Sequence, residues 1–560
     1  MPAQPSYASG TASMPLIGQT IGDFLDEIAA RFPQNEALVA PFENKRYTYA
    51  QFVEKVNRCA RALIGIGVGR GDRVGIWSTN CCDWVVTQFA TAKVGAILVN
   101  INPAYRLHEL EYALKQSECN YLVSGEKFKD DDYIQVLRDL VPRLPCEERF
   151  PHLRQIIFLK ENSECGKNGR IGWSDFLAKA DNVTAAALAE RQAGLDFDDV
   201  INIQYTSGTT GFPKGAMLTH CNILNNGFFV GERMRLTAQD RLCIPVPFYH
   251  CFGMVLGNLA CMTHGATMVL PAPHFSPIHT LETVQNEKCT ALHGVPTMFI
   301  AQLDHPDFKN FDLSSLRTGI MAGAPCPIEV MKRVISCMHC REITIACGMT
   351  EASPVCNMTE IDDPIELRVG SIGKVMPHQE QKIIDPETGR IVPRGAPGEL
   401  CYRGYHIMKG YYRAPDNVGV RIDSSGWLHS GDIAVMDENG YVRMTGRVKD
   451  MICRGGEKIF PREVEEFLYT HPKIAEAHVI GVPDHYYGEQ VMAWIRLHDH
   501  QTMTEQEVRD FCHGQIMDYK VPHYVKFVTE FPTTVTGKVQ KFKMREISAA
   551  ELGLGGSASS

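Results

Sequence analysis

In "TIGDFLDEIAARFP", apolar residues recur at helical spacing behind a Thr20 cap, with Phe24, Leu25, Ile28 and Phe32 on one stripe. "TYAQFVEKVNRCARALIGIGVGRGDRVGIWSTN" predicts a helix, a Gly-rich turn and a buried strand over Arg73–Trp77. "CCDWVVTQFATAKVGAILVNINP" repeats helix and strand and stops at a proline. The rhythm returns at "GATMVL", "CTALHGVP" and "LRTGIMAGAP". Short apolar strands alternating with helices predict an α/β fold, a parallel sheet covered by helices.

From about Pro393 the pattern shifts to short β-prone pieces, "GELCYRG" and "DIAVMDENGYVRMTGR", with a turn at Glu438–Asn439–Gly440. After "GRVKDMICRGGEKIFP" a compact α+β unit is predicted. It has a helix over Pro461–Tyr469, strands at "EAHVIGV" and "QVMAWIRL", a helix near Glu505–His513 and a last strand "YVKFV". The expected division is a flexible leader over residues 1–19, a large domain over 20–448, a small domain over 449–550 and a flexible tail over 551–560. The stretch Cys251–Pro271 carries no Asp, Glu, Lys or Arg and is long enough for a membrane span. Asn258, Thr263, His264 and three glycines interrupt it, so a buried helix, a turn at Gly265 and a buried strand "ATMVL" fit better.

Bulk numbers narrow the function class. A chain of 560 residues exceeds one core, and a formal charge of −9 argues against a nucleic-acid binder. Nineteen cysteines without regular spacing, and an N-terminus lacking secretory or transit features, point to reduced thiols in the cytoplasm. Peripheral membrane contact and oligomerisation stay open. The Cys337–Cys340 pair, "CMHC", closes an amphipathic helix with no second CxxC, so a metal role is the minor reading.

The chemistry begins at "YTSGTTGFPKG". Thr206, Ser207, Gly208, Thr209, Thr210, Gly211, Phe212, Pro213 and Lys214 follow the strand-like "VINIQ". Glycines permit close backbone approach, while hydroxyls, amides and the lysine suit phosphate oxygens. The Walker pattern is absent, because Pro213 precedes the lysine and Gly215 follows it.

Together with five further segments in order, this loop resembles the signature of the acyl- and aryl-adenylate-forming enzymes, over roughly Thr20 to Glu546. The resemblance implies helix-covered parallel sheets plus a distorted β-barrel, with a small mobile α+β domain. "CGMTEASP" matches the segment in which Thr350 meets the α-phosphate and Glu351 holds Mg²⁺, flanked by Cys347, Gly348 and Met349. Cys347 stands where the family usually stacks Tyr or Phe on adenine. "AGAPC", with Gly323, Ala324 and Pro325, is similar to the adenine-contacting turn. "WLHSGDIA" implies that Asp432 binds the ribose hydroxyls, and "GRVKD" that Arg447 joins it with Lys449 as the pivot. Lys538, in "TTVTGKVQK", matches the lysine that clamps carboxylate and α-phosphate. Gly455, Gly456 and Lys458 would line a tunnel for CoA. "PFYHCFG" matches an aromatic gate, which makes His250, Cys251, Phe252, Met254, Val295 and Gly319 the acyl-pocket candidates.

The implied reaction joins a carboxylic acid to CoA through an acyl-adenylate, consuming ATP and releasing AMP and pyrophosphate. The gate carries no acidic residue to hold an ammonium, and an unpaired buried ammonium is costly. An acid without a free amine and with an apolar tail is therefore expected. The phrases "PGELCYRGY", "KDMICRGGEKIFP" and "GKVQKFKMRE" resemble the medium-chain acyl-CoA synthetase branch, which implies a fatty acid of medium length. The alternatives are an aromatic acid, loading of a carrier protein, and a nucleotide-binding sensor without catalysis.

Overall fold

A computed structural model of the chain describes residues 4–146, 148–206, 213–324, 326–414, 421–455, 457–533 and 539–554. Two sheets form the larger part. The first runs in the order 170–172, 155–158, 121–124, 73–77, 97–101, 200–206 and 214–219. Its neighbours are parallel except for the last pair. The second orders nine strands as 374–375, 355–358, 342–348, 318–322, 291–294, 241–243, 267–269, 36–40 and 45–48, parallel through its centre. Helices cover both faces of such sheets, which is why Ile97–Ile101, "ILVNI", is apolar at every position but the buried Asn100.

The helix Cys82–Val94 is buried all round, Lys93 included. Lys93 survives there because its Nζ meets both carboxylate oxygens of Asp26 at 2.5 and 2.6 Å. Desolvation still lowers its pKa. The preceding helix, Tyr49–Gly65, begins at Thr48, whose hydroxyl and the Gln51 side chain form a capping box.

The uncharged stretch folds as a helix over 251–264 whose middle, Met254–Leu259, winds as a π-helix. Gly265 ends it at φ 68°, the left-handed conformation that glycine tolerates best, and Thr267–Val269 follows as a strand. Among the described residues no helix is long and apolar enough to cross a membrane.

A third, antiparallel sheet supplies the barrel-like layer: 7–9, 379–384, 398–404, 428–436 and 421–422, with 442–447 also on 428–436. Its first strand corrects the expectation of a flexible leader. Tyr7, Ala8 and Ser9 pair with Lys382, Gln381 and Glu380. Ile17 then exchanges two hydrogen bonds with the Asn225 side chain, at 2.7 and 3.1 Å. Three residues are too few to show a strand period, so the sequence left no trace of this pairing.

The small unit packs strands 452–454, 457–459, 474–484, 488–497 and 524–527 against helices Pro461–Leu468 and Glu505–Cys512. A further helix, Lys541–Glu551, was not anticipated. It buries only Met544 and Ser548, too short an apolar stripe to register as a period.

Candidate active site

The strand Glu342–Gly348 leads into a tight turn at Thr350–Ala352. A Cβ on Gly348 would sit 1.8 Å from the Pro354 carbonyl oxygen, so only glycine allows the chain to double back here. The turn presents Glu351, which is buried, and Tyr411 donates its hydroxyl to Glu351 Oε1 at 2.6 Å. Tyr411 also lies beside Lys214, whose buried ammonium is 5.9 Å from the ring centroid. Lys214 faces Thr206 across the antiparallel pair that flanks the Gly-rich loop. Tyr112 caps the loop's exit by donating to the Pro213 carbonyl at 2.9 Å. Residues 207–212 of that loop lie outside the described residues, as do Pro325, Gly456, Lys538 and the side chain of Lys458.

Thr350 is tied to the gate. The Cys251 thiol reaches Thr350 Oγ1 at 3.6 Å and Gln204 Oε1 at 3.7 Å. Gln204 in turn donates to Met254 Sδ at 3.4 Å. One polar–sulfur chain thus runs from the Thr–Glu turn into the π-helical segment. Such segments often mark functional sites. Burial pushes the Cys251 thiol up to about 12, so it stays protonated.

Asp432 and Arg447 are partners in the antiparallel ladder, and their side chains meet at 3.0 Å. Cys347, half-buried, feels the charges of both, and burial and then Asp432 push its thiol up to about 12. The carboxylate and guanidinium are thus near enough to the end of strand Glu342–Gly348 to act on the Cys347 thiol. Gly323 and Ala324 are exposed. Gly323, at φ 87°, faces Val295, because a Cβ there would lie 3.2 Å from Val295 Cγ1. This brings the turn and the pocket candidate together.

In the gate, Cys251, Phe252 and Met254 are buried. His250 caps the helix start, its Nδ1 accepting from the Phe252 amide at 3.2 Å, and crowding by protein lowers its pKa. His293 is fully buried, packs against Phe252 with ring centroids 5.4 Å apart and planes tilted by 38°, and donates from Nε2 to the Leu256 carbonyl at 2.9 Å. Burial takes its pKa to about 4, so the His293 imidazole is neutral at pH 7. Gly319 is held to glycine by the sheet. A Cβ on it would meet the Leu292 carbonyl oxygen at 2.0 Å, so the residue serves sheet packing.

Three asparagines hold these parts in place, and the sequence reading missed them. Asn222, Asn225 and Asn226 fall at i, i+3 and i+4 on the buried helix His220–Arg233. Asn222 donates to the carbonyls of Tyr405 and Ile407, and Asn225 grips Ile17. Asn226 both donates to and accepts from Val355, at 2.9 and 3.1 Å. Polar residues on one face of an otherwise apolar helix were the available signal. Each is satisfied by backbone, which avoids roughly 1–3 kcal/mol of penalty per unpaired buried group.

Cys337 is exposed at its helix end, Cys340 is buried, and neither belongs to the one ligand-like trio among the described residues, Glu399, Cys401 and His429. That trio is explained by hydrogen bonding: His429 Nδ1 meets Glu399 Oε2 at 3.0 Å, and Glu399 Oε1 accepts from the Gly431 amide at 3.2 Å. It steadies the strand segment just before Asp432.

The model of the family "AMP-binding enzyme" matches residues 25–412, and that of the "AMP-binding enzyme C-terminal domain" matches residues 463–538. A putative acyl-CoA synthetase, YngI of Bacillus subtilis (strain 168), is 51% identical over 538 residues, covering 95% of this chain and 97% of that protein. A mitochondrial medium-chain acyl-CoA ligase, ACSF2 of Danio rerio, is 42% identical over 558 residues, 98% of this chain and 91% of the relative. The crystal structure of the anthranilate CoA ligase AuaEII in complex with anthranoyl-AMP superposes with a TM-score of 0.80 at 28% identity, over 97% of this chain and 99% of that one.

Proposed function

The chain belongs to the AMP-binding enzyme family as an AMP-forming acid–CoA ligase, and we propose that its acid is a fatty acid of medium length. The observation that carries this reading is the gate. Cys251, Phe252 and Met254 are buried and apolar, and the neighbouring His293 is neutral. Such a lining accepts an uncharged tail and penalises a second charge.

In the first step the acid's carboxylate oxygen attacks the α-phosphorus of ATP and pyrophosphate leaves. Lys538 would clamp carboxylate and α-phosphate, an electrostatic task suited to an ammonium that is charged at neutral pH. Thr206, Lys214 and the loop between them would hold the other phosphates. Asp432, aimed by Arg447, would accept from the ribose hydroxyls. The buried Glu351 carboxylate, a hard oxygen donor oriented by Tyr411, fits Mg²⁺, with the Thr350 hydroxyl beside it. When bound, the ion would supply countercharge for phosphate oxygens. In the second step the thiol sulfur of CoA attacks the acyl carbon and AMP departs. Gly455, Gly456 and Lys458 would line its approach once the small unit turns about Lys449.

The chain's 19 free cysteines, 12 of them buried, fit a reducing compartment, and we place the enzyme in the cytoplasm. A second reading, an aromatic acid, draws on the same apolar gate lining, because buried apolar side chains do not distinguish a ring from a chain.

The test is pyrophosphate exchange and CoA-thioester formation over straight-chain acids of graded length, with benzoate and anthranilate beside them. A maximum at intermediate chain length is expected. A maximum at an aryl acid selects the second reading. Exchange without CoA consumption selects carrier loading, and no exchange with any acid selects a nucleotide-binding sensor.

A further inference from the structure

The helix Lys541–Glu551 starts three residues after Lys538 and has no part in the chemistry above. Its Arg545 nevertheless reaches the junction between the two units. Nη1 donates to the Lys449 carbonyl at 3.1 Å, and Nη2 lies 3.5 Å from Asp450 Oδ1. The helix itself is fastened to the small unit. Met544 is fully buried beside Ile480, Val482, Met492 and Trp494. Trp494 Nε1 donates to the buried Ser548 hydroxyl at 2.9 Å, and Lys541 pairs with Glu465 at 2.6 Å. Arg545 therefore moves with the small unit.

We propose that Arg545 is a positioning residue that confines the swing of the small unit to the backbone of Lys449, given the two-step reading above. The argument is one of chain geometry. Rotation about φ or ψ of Lys449 carries the Lys449 carbonyl along with everything after it. A guanidinium on the small unit can keep hold of that carbonyl throughout the swing. Rotation at Asp450 or Met451 would tear the carbonyl away from Arg545. The two contacts thus make the Lys449–Asp450 peptide part of the rigid small unit and leave Lys449 as its last free residue. The local turn sets what the swing must release: the Met451 amide donates to the Arg447 carbonyl at 3.0 Å across Lys449, a bond that rotation at Lys449 opens while both Arg545 contacts persist. A hinge of one residue defines one arc. A hinge spread over three residues would let Lys538 and the Gly455 hairpin miss their marks, and misplacement of reacting groups by about 1 Å costs on the order of 100-fold.

The experiment uses the full chain with Arg545→Ala, Arg545→Lys, Lys449→Pro and the Lys449→Pro/Arg545→Ala pair. Proline at 449 fixes φ and blocks the arc. Lys449→Pro is expected to keep one half-reaction and lose about 100-fold in the other. With Arg545→Ala added, the bonds at Asp450 and Met451 take up the rotation, and about 10-fold of the lost half-reaction returns, a coupling between neighbouring sites of ordinary size. Trypsin cleavage after Lys449 should quicken about 10-fold in Arg545→Ala and return toward wild type in Arg545→Lys, because local opening sets the cleavage rate. Parallel loss of both half-reactions in Arg545→Ala, with no recovery in the double variant and no change in cleavage, overturns the proposal. Cleavage reads the contact without turnover. A wild-type enzyme that exchanges no pyrophosphate therefore counts against the ligase reading, while unaltered cleavage in Arg545→Ala counts against Arg545.

Discussion

The hydroxyl of Tyr411 donates to the carboxylate of Glu351 at 2.6 Å, joining residues sixty positions apart. The same ring sits near the Lys214 ammonium. Tyr411 thereby links the turn proposed to hold a metal with the strand that leaves the Gly-rich loop.

For Tyr411→Phe, the bond to Glu351 is lost while the ring remains. A hydrogen bond to a charged group is worth about 1.5–3 kcal/mol, so pyrophosphate exchange should fall about 10- to 100-fold. The thermal midpoint should move little. Unchanged exchange at limiting Mg²⁺ would remove Tyr411 from the site.

Asp432 and Arg447 face each other across the ladder, so the carboxylate is aimed before nucleotide arrives. Asp432→Asn keeps the shape and discards the charge. It should weaken ATP binding about 10-fold or more, since charge-assisted hydrogen bonds are about twice as strong as neutral ones. Equilibrium binding of ATP measures this, and an unaltered affinity would place the ribose elsewhere.

Lys538→Ala should abolish acyl-adenylate formation while thioester formation from supplied acyl-adenylate survives. Stopped assays of each half-reaction decide. Survival of both would end the clamp role.

Stability should fall with acid in a defined window. His220 and His293 have pKa values near 4 in the fold, both through burial, against about 6.5 unfolded. His220 Nδ1 accepts from the Ile21 amide, a bond that only a neutral Nδ1 can make. Because folding depresses these bases, the unfolded chain takes up protons first. Their contribution is full above pH 6.5 and is lost between about 6.5 and 4, on the order of 2 kcal/mol per histidine by pH 5. Urea midpoints at pH 7.5 and pH 5 should show the drop. A flat profile would mean that other groups compensate.

Much of this was legible before any coordinates. Arg73–Trp77 reads as a strand because both faces are covered and every core position is apolar. Thr350–Glu351 and Asp432 stand out because local motifs surround them. Tyr411, Asn226 and Ile17 were not legible, because their partners lie 60, 129 and 208 residues away and pairing at that range leaves no period. The tight fit at Gly319 was not legible either, because the Leu292 carbonyl that forbids a side chain there lies on the neighbouring strand.

The strand Tyr7–Ser9 has a practical consequence for anyone preparing this protein. Trimming the chain to residue 20, as a flexible leader would invite, strips the third sheet of its edge. Strand Gln379–Ile384 would then show a row of bare amides and carbonyls to other molecules. Exposed edges of that kind recruit further strands. The shortened protein should therefore precipitate on concentration even with its catalytic groups in place, and its losses could be mistaken for an inactive enzyme.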